Sequence, residues 1–298
     1  MSAGRKGRAQ EEMNELLCRH LKKKTYLCQL MKRLLLTLLI GIAGSVSAAY
    51  GNAYTKLLKN GTNEEKYEAA QRYFEQEEYG KSVTLLEQVV RFYRGTADAE
   101  NIMYLLASAY TRRKDYISGA HYYQGYVNGY PHGARYQECL YMLGYCYFQQ
   151  SPEPELDQTN TEKAIEQFEL YLAQYPYGKH CDEVRGLLRQ LREKLAEREL
   201  TNARLYYNMG DYRGNNYRAA IITAQNAMND YPDSDYLEEF AWIVVRSKYK
   251  EAMQSVAAKQ EARCEDAYDE CYYFLQEYPE TQHRKETEKI ARQLKKHF

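Results

Sequence analysis

LLASAYTRRKDYISGAHYYQGYVNGYP, residues 105–131, decides the fold. Leu106, Ala107 and Tyr110 recur at helical spacing, and after a polar turn Gly119, Tyr123 and Tyr126 recur in the same way. The small Ala107 and Gly119 let two helices approach closely, and the rings of Tyr110 and Tyr123 fill what remains. Pro131 stops the second helix: proline lacks an N–H, and its ring pushes the preceding residue out of the helical region. The segment therefore reads as helix, tight turn, helix, stop.

The stop recurs at Tyr130-Pro131, Tyr175-Pro176, Tyr231-Pro232 and Tyr278-Pro279, which takes up four of the six prolines. A recurrent stop after paired amphipathic helices points to a tetratricopeptide-like array, whose unit of about 34 residues wants small or apolar side chains at fixed positions and a late proline. An earlier unit supplies Ala69, Ala70, Tyr73, Tyr79, Ser82, Leu86 and Val89 without the proline. After 101–133, a third unit runs through Leu143, Gly144 and Tyr147, then Ala164, Phe168, Tyr171 and Pro176, with an enlarged turn at 151–161. A fourth covers about 201–233 with an enlarged turn at 208–216, and a fifth pairs a long helix over 236–257 with Ala267, Cys271, Phe274 and Pro279. Additional helices are expected over 182–198 and, as a charged terminal cap, over 283–297. No stretch shows sustained period-2 alternation bounded by turn residues. The fold class is all-α, a superhelical solenoid of about five tetratricopeptide-like helical hairpins over 49–298, with two halves suggested at about 49–198 and 199–298.

Composition agrees with a helical scaffold. Tyr numbers 32 against 7 Phe and 1 Trp, while Gly and Pro are few, and tyrosine suits half-buried and interface positions. Lys+Arg and Asp+Glu are 41 each. Residues 1–48 hold nine of the basic and three of the acidic residues, leaving the remainder mildly acidic, with 32 basic against 38 acidic. Such a surface offers no broad field for a phosphate backbone, so no nucleic acid is expected as a partner.

Lys32 and Arg33, the apolar run Leu34–Ala43 and the small residues at Val46-Ser47-Ala48 have the organisation of a secretory signal peptide over 31–48. Residues 1–30 read as a gene-model extension ahead of a true start at Met31. The rivals are a type II membrane topology or a genuine long leader, and a further alternative makes 34–49 a buried helix. Export changes how cysteine is read. Cys139 and Cys146, like Cys264 and Cys271, stand seven apart, about 10.5 Å along a helix, too far for a bridge. Together with Cys181 they read as small buried residues, with a Cys139–Cys181 bridge as the alternative.

Neither a phosphate-binding loop, a dinucleotide fingerprint, a nucleophile elbow nor a zinc-binding histidine pair occurs, and the six histidines are scattered. No catalytic residue, metal site or cofactor is expected. On the tetratricopeptide frame, positions 2, 5, 9, 12 and 13 of the first helices point into a concave surface. In the first three units these are Tyr67, Gln71, Phe74, Tyr104, Ser108, Thr111, Arg112, Tyr141, Tyr145, Phe148 and Gln149. An aromatic groove of this kind suits an extended peptide, because tyrosine contributes contact area at low entropic cost. The competing reading packs some of these rings against neighbouring helices. Arg112 is the natural partner of a carboxylate.

Three stretches carry a resemblance: YTKLLKNGTNEEKYEAAQRYFEQEEYGKSVTLLEQV, YVNGYPHGARYQECLYMLGYCYF, and NNYRAAIITAQNAMNDYPDS with EEFAWIVVRSKY. In this order, behind an export signal, the chain resembles the BamD (YfiO) family, the tetratricopeptide component of the outer-membrane β-barrel assembly machinery, in the form found in Bacteroidetes. The resemblance implies a non-catalytic scaffold on the periplasmic face of the outer membrane, without cofactors. Its first half would meet unfolded outer-membrane proteins. Its second half, about 201–298, would dock the barrel subunit BamA and other accessory subunits. The family carries its lipid on a cysteine at the signal-peptide junction, whereas here the junction reads AGSVSAAYGN, so lipid anchoring is unsupported and membrane association is expected through partners. Two other classes stand beside this reading: a general periplasmic adaptor in envelope biogenesis or secretion, and an enzyme built on a helical solenoid.

Overall fold

The computed structural model describes residues 53–298. The leader segments 1–30 and 31–48, with Cys18 and Cys28, lie outside the described residues. The chain divides into two compact units, residues up to Arg72 and Tyr73–Phe298. Among the described residues there are twelve helical segments and no strand.

In the first unit residues 53–60 form α1, and α2 (Asn63–Glu75) starts there and runs past its end. Gly61 sits where a Cβ would lie 2.6 Å from the Leu57 carbonyl oxygen, and its N–H donates to that oxygen at 2.8 Å. The start of α2 is a reciprocal capping box: the Thr62 N–H donates to Glu65 at 2.9 Å, and the Glu65 N–H donates to the Thr62 hydroxyl at 3.2 Å.

The second unit continues with α3 (Tyr79–Val89), α4 (Ala99–Arg112), α5 (Tyr116–Gly129), α6 (Tyr136–Gln150), α7 (Thr159–Gln174), α8 (Cys181–Met209), α9 (Asn216–Asp230), α10 (Leu237–Met253), α11 (Ala257–Glu277) and α12 (Arg284–Leu294). Each helix packs on the next, so α4/α5, α6/α7, α8/α9 and α10/α11 are successive hairpins. The four Tyr-Pro stops are one structure repeated. Tyr130, Tyr175, Tyr231 and Tyr278 leave the helix with φ between −119° and −132° and ψ between 63° and 72°, and each N–H still bonds four residues back. Proline at the next position enforces that departure.

The turn into α5 uses Lys114 at φ 62°, then Asp115, whose carboxylate accepts from the Ser118 N–H at 3.1 Å. A Cβ on Gly119 would lie 2.6 Å from the Thr111 hydroxyl, and one on Gly144 would lie 2.6 Å from the Phe168 ring. These are the two close approaches that the small consensus positions demand. Tyr126 and Tyr171 are fully buried, and their hydroxyls hold the turns that follow: the Arg135 N–H donates to Tyr126 and the His180 N–H to Tyr171. Tyr126 and Tyr171 thus each serve as core ring and turn anchor at once.

The core is continuous because α8 and α10 are shared. Val184, Leu188 and Leu191 of α8 close the cluster built on Tyr123, Leu143 and Phe168. Ala196, Leu200 and Ala203 of the same helix open the next, with Ala220, Ala224 and Phe240. Trp242 and Val245 of α10 then pack on Cys271, Phe274, Ile290 and Leu294.

Two expectations are corrected. The helix over 182–198 is not an extra element beyond the third unit; it is the first half of a 29-residue helix that also supplies the first helix of the fourth hairpin. No glycine or proline interrupts Arg198-Glu199-Leu200-Thr201, and the buried stripe Leu195, Ala196, Leu200, Ala203 runs straight through, so residue 198 lies inside a helix. The long helix expected over 236–257 ends at Met253, and Ala257 begins α11. All five cysteines of the second unit are buried and free, and the Cys181 thiol donates to the Tyr175 carbonyl at 2.9 Å instead of bridging to Cys139. Burial pushes the Cys146 thiol up to about 11 and the Cys271 thiol up to about 12. No described helix is long and apolar enough to cross a membrane.

Candidate functional site

The first helices α4 and α6, with the first turn of α8, border a hollow of about 430 Å³. Six of the eleven expected residues line it together: Tyr104, Ser108, Thr111, Arg112, Tyr141 and Tyr145. Phe148 extends the lining by one helical turn, its ring 6.4 Å from that of Tyr145, and Gln149 is exposed beside it. The remaining three are not part of this hollow. Phe74 packs edge-on against Tyr79, with ring centres 5.4 Å apart. Tyr67 and Gln71 belong to the first unit, where Tyr67 is buried.

A repeated device orders the lining. Five residues after the Tyr of each Tyr-Pro stop stands the cap of the next first helix: Arg135, His180, Tyr236 and His283. Eight residues after that Tyr stands a glutamate in the first turn: Glu138, Glu183, Glu239 and Glu286. Acidic side chains suit this position because helix N-termini carry partial positive charge. In the groove the cap lies over a tyrosine of the preceding first helix and the glutamate receives that tyrosine's proton donor. The Arg135 guanidinium sits 4.1 Å from the Tyr104 ring, and the Tyr104 hydroxyl donates to Glu138 at 2.9 Å. His180 stacks on Tyr141 at 3.9 Å and 8°, and the Tyr141 hydroxyl donates to Glu183 at 2.7 Å.

The electrostatics follow. Burial, then the hydrogen bond to Glu138, raises the Tyr104 phenol above its ordinary range. Burial and Glu183 do the same to Tyr141. The donated bonds from Tyr141 and then His180 hold the Glu183 carboxyl below the usual range. Glu138 and Glu183 thus each accept a tyrosine hydroxyl inside the hollow, while exposed Arg112 and Lys114 stand at the rim. The result is a wet aromatic cradle of mixed charge, with ring faces for apolar side chains and charged groups of both signs for the ends of polar ones. Sequence reasoning missed both glutamates, although their constant offset from the Tyr-Pro stops was visible. No group of three or more His, Cys, Asp or Glu among the described residues is arranged to hold a metal ion.

Fold and site together define a helical-hairpin repeat protein with a lined groove on its first helices. A family described as "YfiO: Outer membrane lipoprotein" matches residues 59–238, more than half of the chain, and the protein belongs to that family. No curated protein sequence matches it. Among solved structures it is similar to the TPR2AB-domain:pHSP90 complex of yeast Sti1, at 11% identity and a TM-score of 0.36, covering 78% of this chain and 98% of that one. It is also similar to a protein from Bacteroides ovatus ATCC 8483, at 12% identity and a TM-score of 0.34, covering 72% of this chain and all of the other.

Proposed function

We propose that this protein is a non-catalytic scaffold of the outer-membrane β-barrel assembly machinery, working on the periplasmic face of the outer membrane after removal of residues 31–48. Unfolded outer-membrane proteins enter the groove of Tyr104, Ser108, Thr111, Arg112, Tyr141 and Tyr145 as extended segments. Residues 201–298 hold BamA and accessory subunits. The observation that carries this reading is the family match over 59–238, which contains the whole groove. The hollow supports it physically: stacked rings supply contact area, and the tyrosine–glutamate bonds fix those rings before a ligand arrives, which reduces the entropy lost on binding. Copurification of the native protein from detergent-solubilised outer membrane tests it. A large barrel protein is expected in the complex, and its consistent absence, or a different partner set from secretion or cell-wall machinery, would overturn the assignment. The mass of the mature N-terminus settles cleavage and lipidation in the same preparation.

A further inference from the structure

Farther along the chain the first helices form a second lined stretch. α8 touches α10, and α10 touches α12, without their second helices between. Tyr207 comes from α8, Trp242 and Arg246 from α10, and His283 caps α12. Arg246 stands four residues after Trp242, as Ser108 stands after Tyr104 and Tyr145 after Tyr141, so it occupies the register that lines the first groove. Its guanidinium carbon lies 4.3 Å from the Tyr207 ring centre and 5.2 Å from that of Trp242. Trp242 is itself stacked on His283 at 4.5 Å and 10°.

The guanidinium is held in place but not neutralised. Three arginines are half-buried among the described residues, Arg198, Arg246 and Arg263. Arg198 pairs with Glu199 at 3.0 Å and Arg263 reaches Glu251 at 3.4 Å. Arg246 forms no ion pair with any described residue, and its Nε, sealed from water, donates to nothing. The glutamate of the preceding level, Glu239, is taken by Arg204 at 3.0 Å and approached by His283 at 3.7 Å. With rings on its faces and its Nε sealed, the guanidinium can meet a planar, doubly accepting group only through its two terminal amino groups.

We propose that Arg246, with Tyr207 and Trp242, receives the side-chain carboxylate of an Asp or Glu on a protein partner, at a site separate from the N-terminal groove. The first turns of α10 and α12 bring further carboxylates, Glu239 and Glu286, to this end of the array, and these disfavour a dianion such as a phosphate monoester more than a monoanion. A single cation, without a second one or a ring of backbone N–H groups, suits a side-chain carboxylate better than a chain terminus. The proposal rests on reading the first-helix lining as a recognition surface, but its test reads Arg246 alone, so it can fail while copurification succeeds and the reverse.

Trp242 is the only tryptophan in the chain and reports on the site directly. The full chain is titrated with acetyl-Gly-Glu-Gly-amide, its Gln counterpart, and acetyl-Gly-Gly-Gly with a free carboxylate, following Trp242 fluorescence. The Glu peptide is expected to bind about tenfold more tightly than the Gln peptide, the ratio that separates charged from neutral hydrogen bonds. Arg246→Gln, with helical circular dichroism unchanged, is expected to bring the two peptides level. Tyr207→Leu keeps the cation and removes one ring, and is expected to weaken the Glu peptide severalfold; it carries the test if Arg246→Gln does not fold. Equal binding of Glu and Gln peptides, a preference that survives Arg246→Gln, or tighter binding of the free-terminus peptide would each overturn the proposal.

Discussion

At α4, α6 and α8 the repeat places a tyrosine, a stacked cap and a glutamate, and all three are satisfied by one another: Tyr104, Arg135 and Glu138 at one level, Tyr141, His180 and Glu183 at the next. Along α8, α10 and α12 the same addresses hold Arg204, Tyr236 and Glu239, then Trp242, His283 and Glu286, with Arg246 added where Ser108 and Tyr145 stand. There the glutamate of one level is spent on Arg204, and Arg246, one turn beyond Trp242 of the other level, is left over. One scaffold thus presents two different surfaces. The N-terminal one has its rings fixed by hydrogen bonds to Glu138 and Glu183, and on the function proposed above it would take segments of varied sequence. The C-terminal one has an unanswered charge, fit for one fixed partner group. Repetition sets where side chains stand, and only the residue type at each address sets what they can bind.

The comparison supposes that both surfaces belong to one cooperative array, and the largest expected effect tests that. Phe168 is fully buried in the cluster closed by the first half of α8. Phe168→Ala is expected to lose about 3–5 kcal/mol of stability in urea unfolding. Because α8 also opens the next cluster, Trp242 fluorescence far along the chain should shift to the same lowered midpoint as helical circular dichroism. Two separate transitions would show that the halves unfold independently.

Next in size is a contrast between two arginines. Glu251 is buried and accepts from Asn215 at 2.9 Å as well as facing Arg263. Arg263→Met strands part of that charge and is expected to cost about 1–3 kcal/mol, the lower part of the range because Arg263 is partly exposed. Arg246→Met strands no carboxylate and removes an unmade donor, offset by the lost stacking, so its cost is expected to stay under about 1 kcal/mol. Equal losses in thermal or urea unfolding would make Arg246 a structural strut and erase the distinction between the surfaces.

The elements most legible in the sequence are those written in proline and glycine. Each Tyr-Pro ends a helix where it is expected to, and Gly119 and Gly144 sit at the close contacts their size implies. The enlarged turn after α6 also appears, with α7 starting at Thr159. What misleads is the absence of a breaker: α8 continues through Arg198–Thr201 because nothing there stops it, and a repeat frame cannot see a helix serving two units. Six groove residues were legible because their helix positions are fixed by the consensus. Glu138 and Glu183 were less so, since their partners are reached across 34 and 42 residues and acidic first turns are common for other reasons. Arg246 was hidden among the apolar residues of WIVVRSKY, where its register emerges only once α10 is set beside α4 and α6.

The smallest expected effect examines one of the hydrogen bonds that fix the rings of the N-terminal surface. Tyr141→Phe keeps the ring that stacks on His180 and removes only the hydroxyl that donates to Glu183. One such bond contributes about 0.5–1.5 kcal/mol. The variant should therefore lose about that much stability at neutral pH, and the Glu183 carboxyl, followed by carbon-13 NMR, should titrate at higher pH than in the parent, because its first-named stabilising donor is gone. The sign for the parent follows from the same depression. A carboxyl whose folded value lies below its unfolded value contributes stability that is fully present above the unfolded value and is lost as pH falls through the folded one. The gap in stability between parent and variant should accordingly be widest above the ordinary glutamate range and close as the solution is acidified through it. A gap that does not change with pH would mean that Tyr141 supports the groove only by packing, and that the charge of Glu183 is not held there by the ring above it.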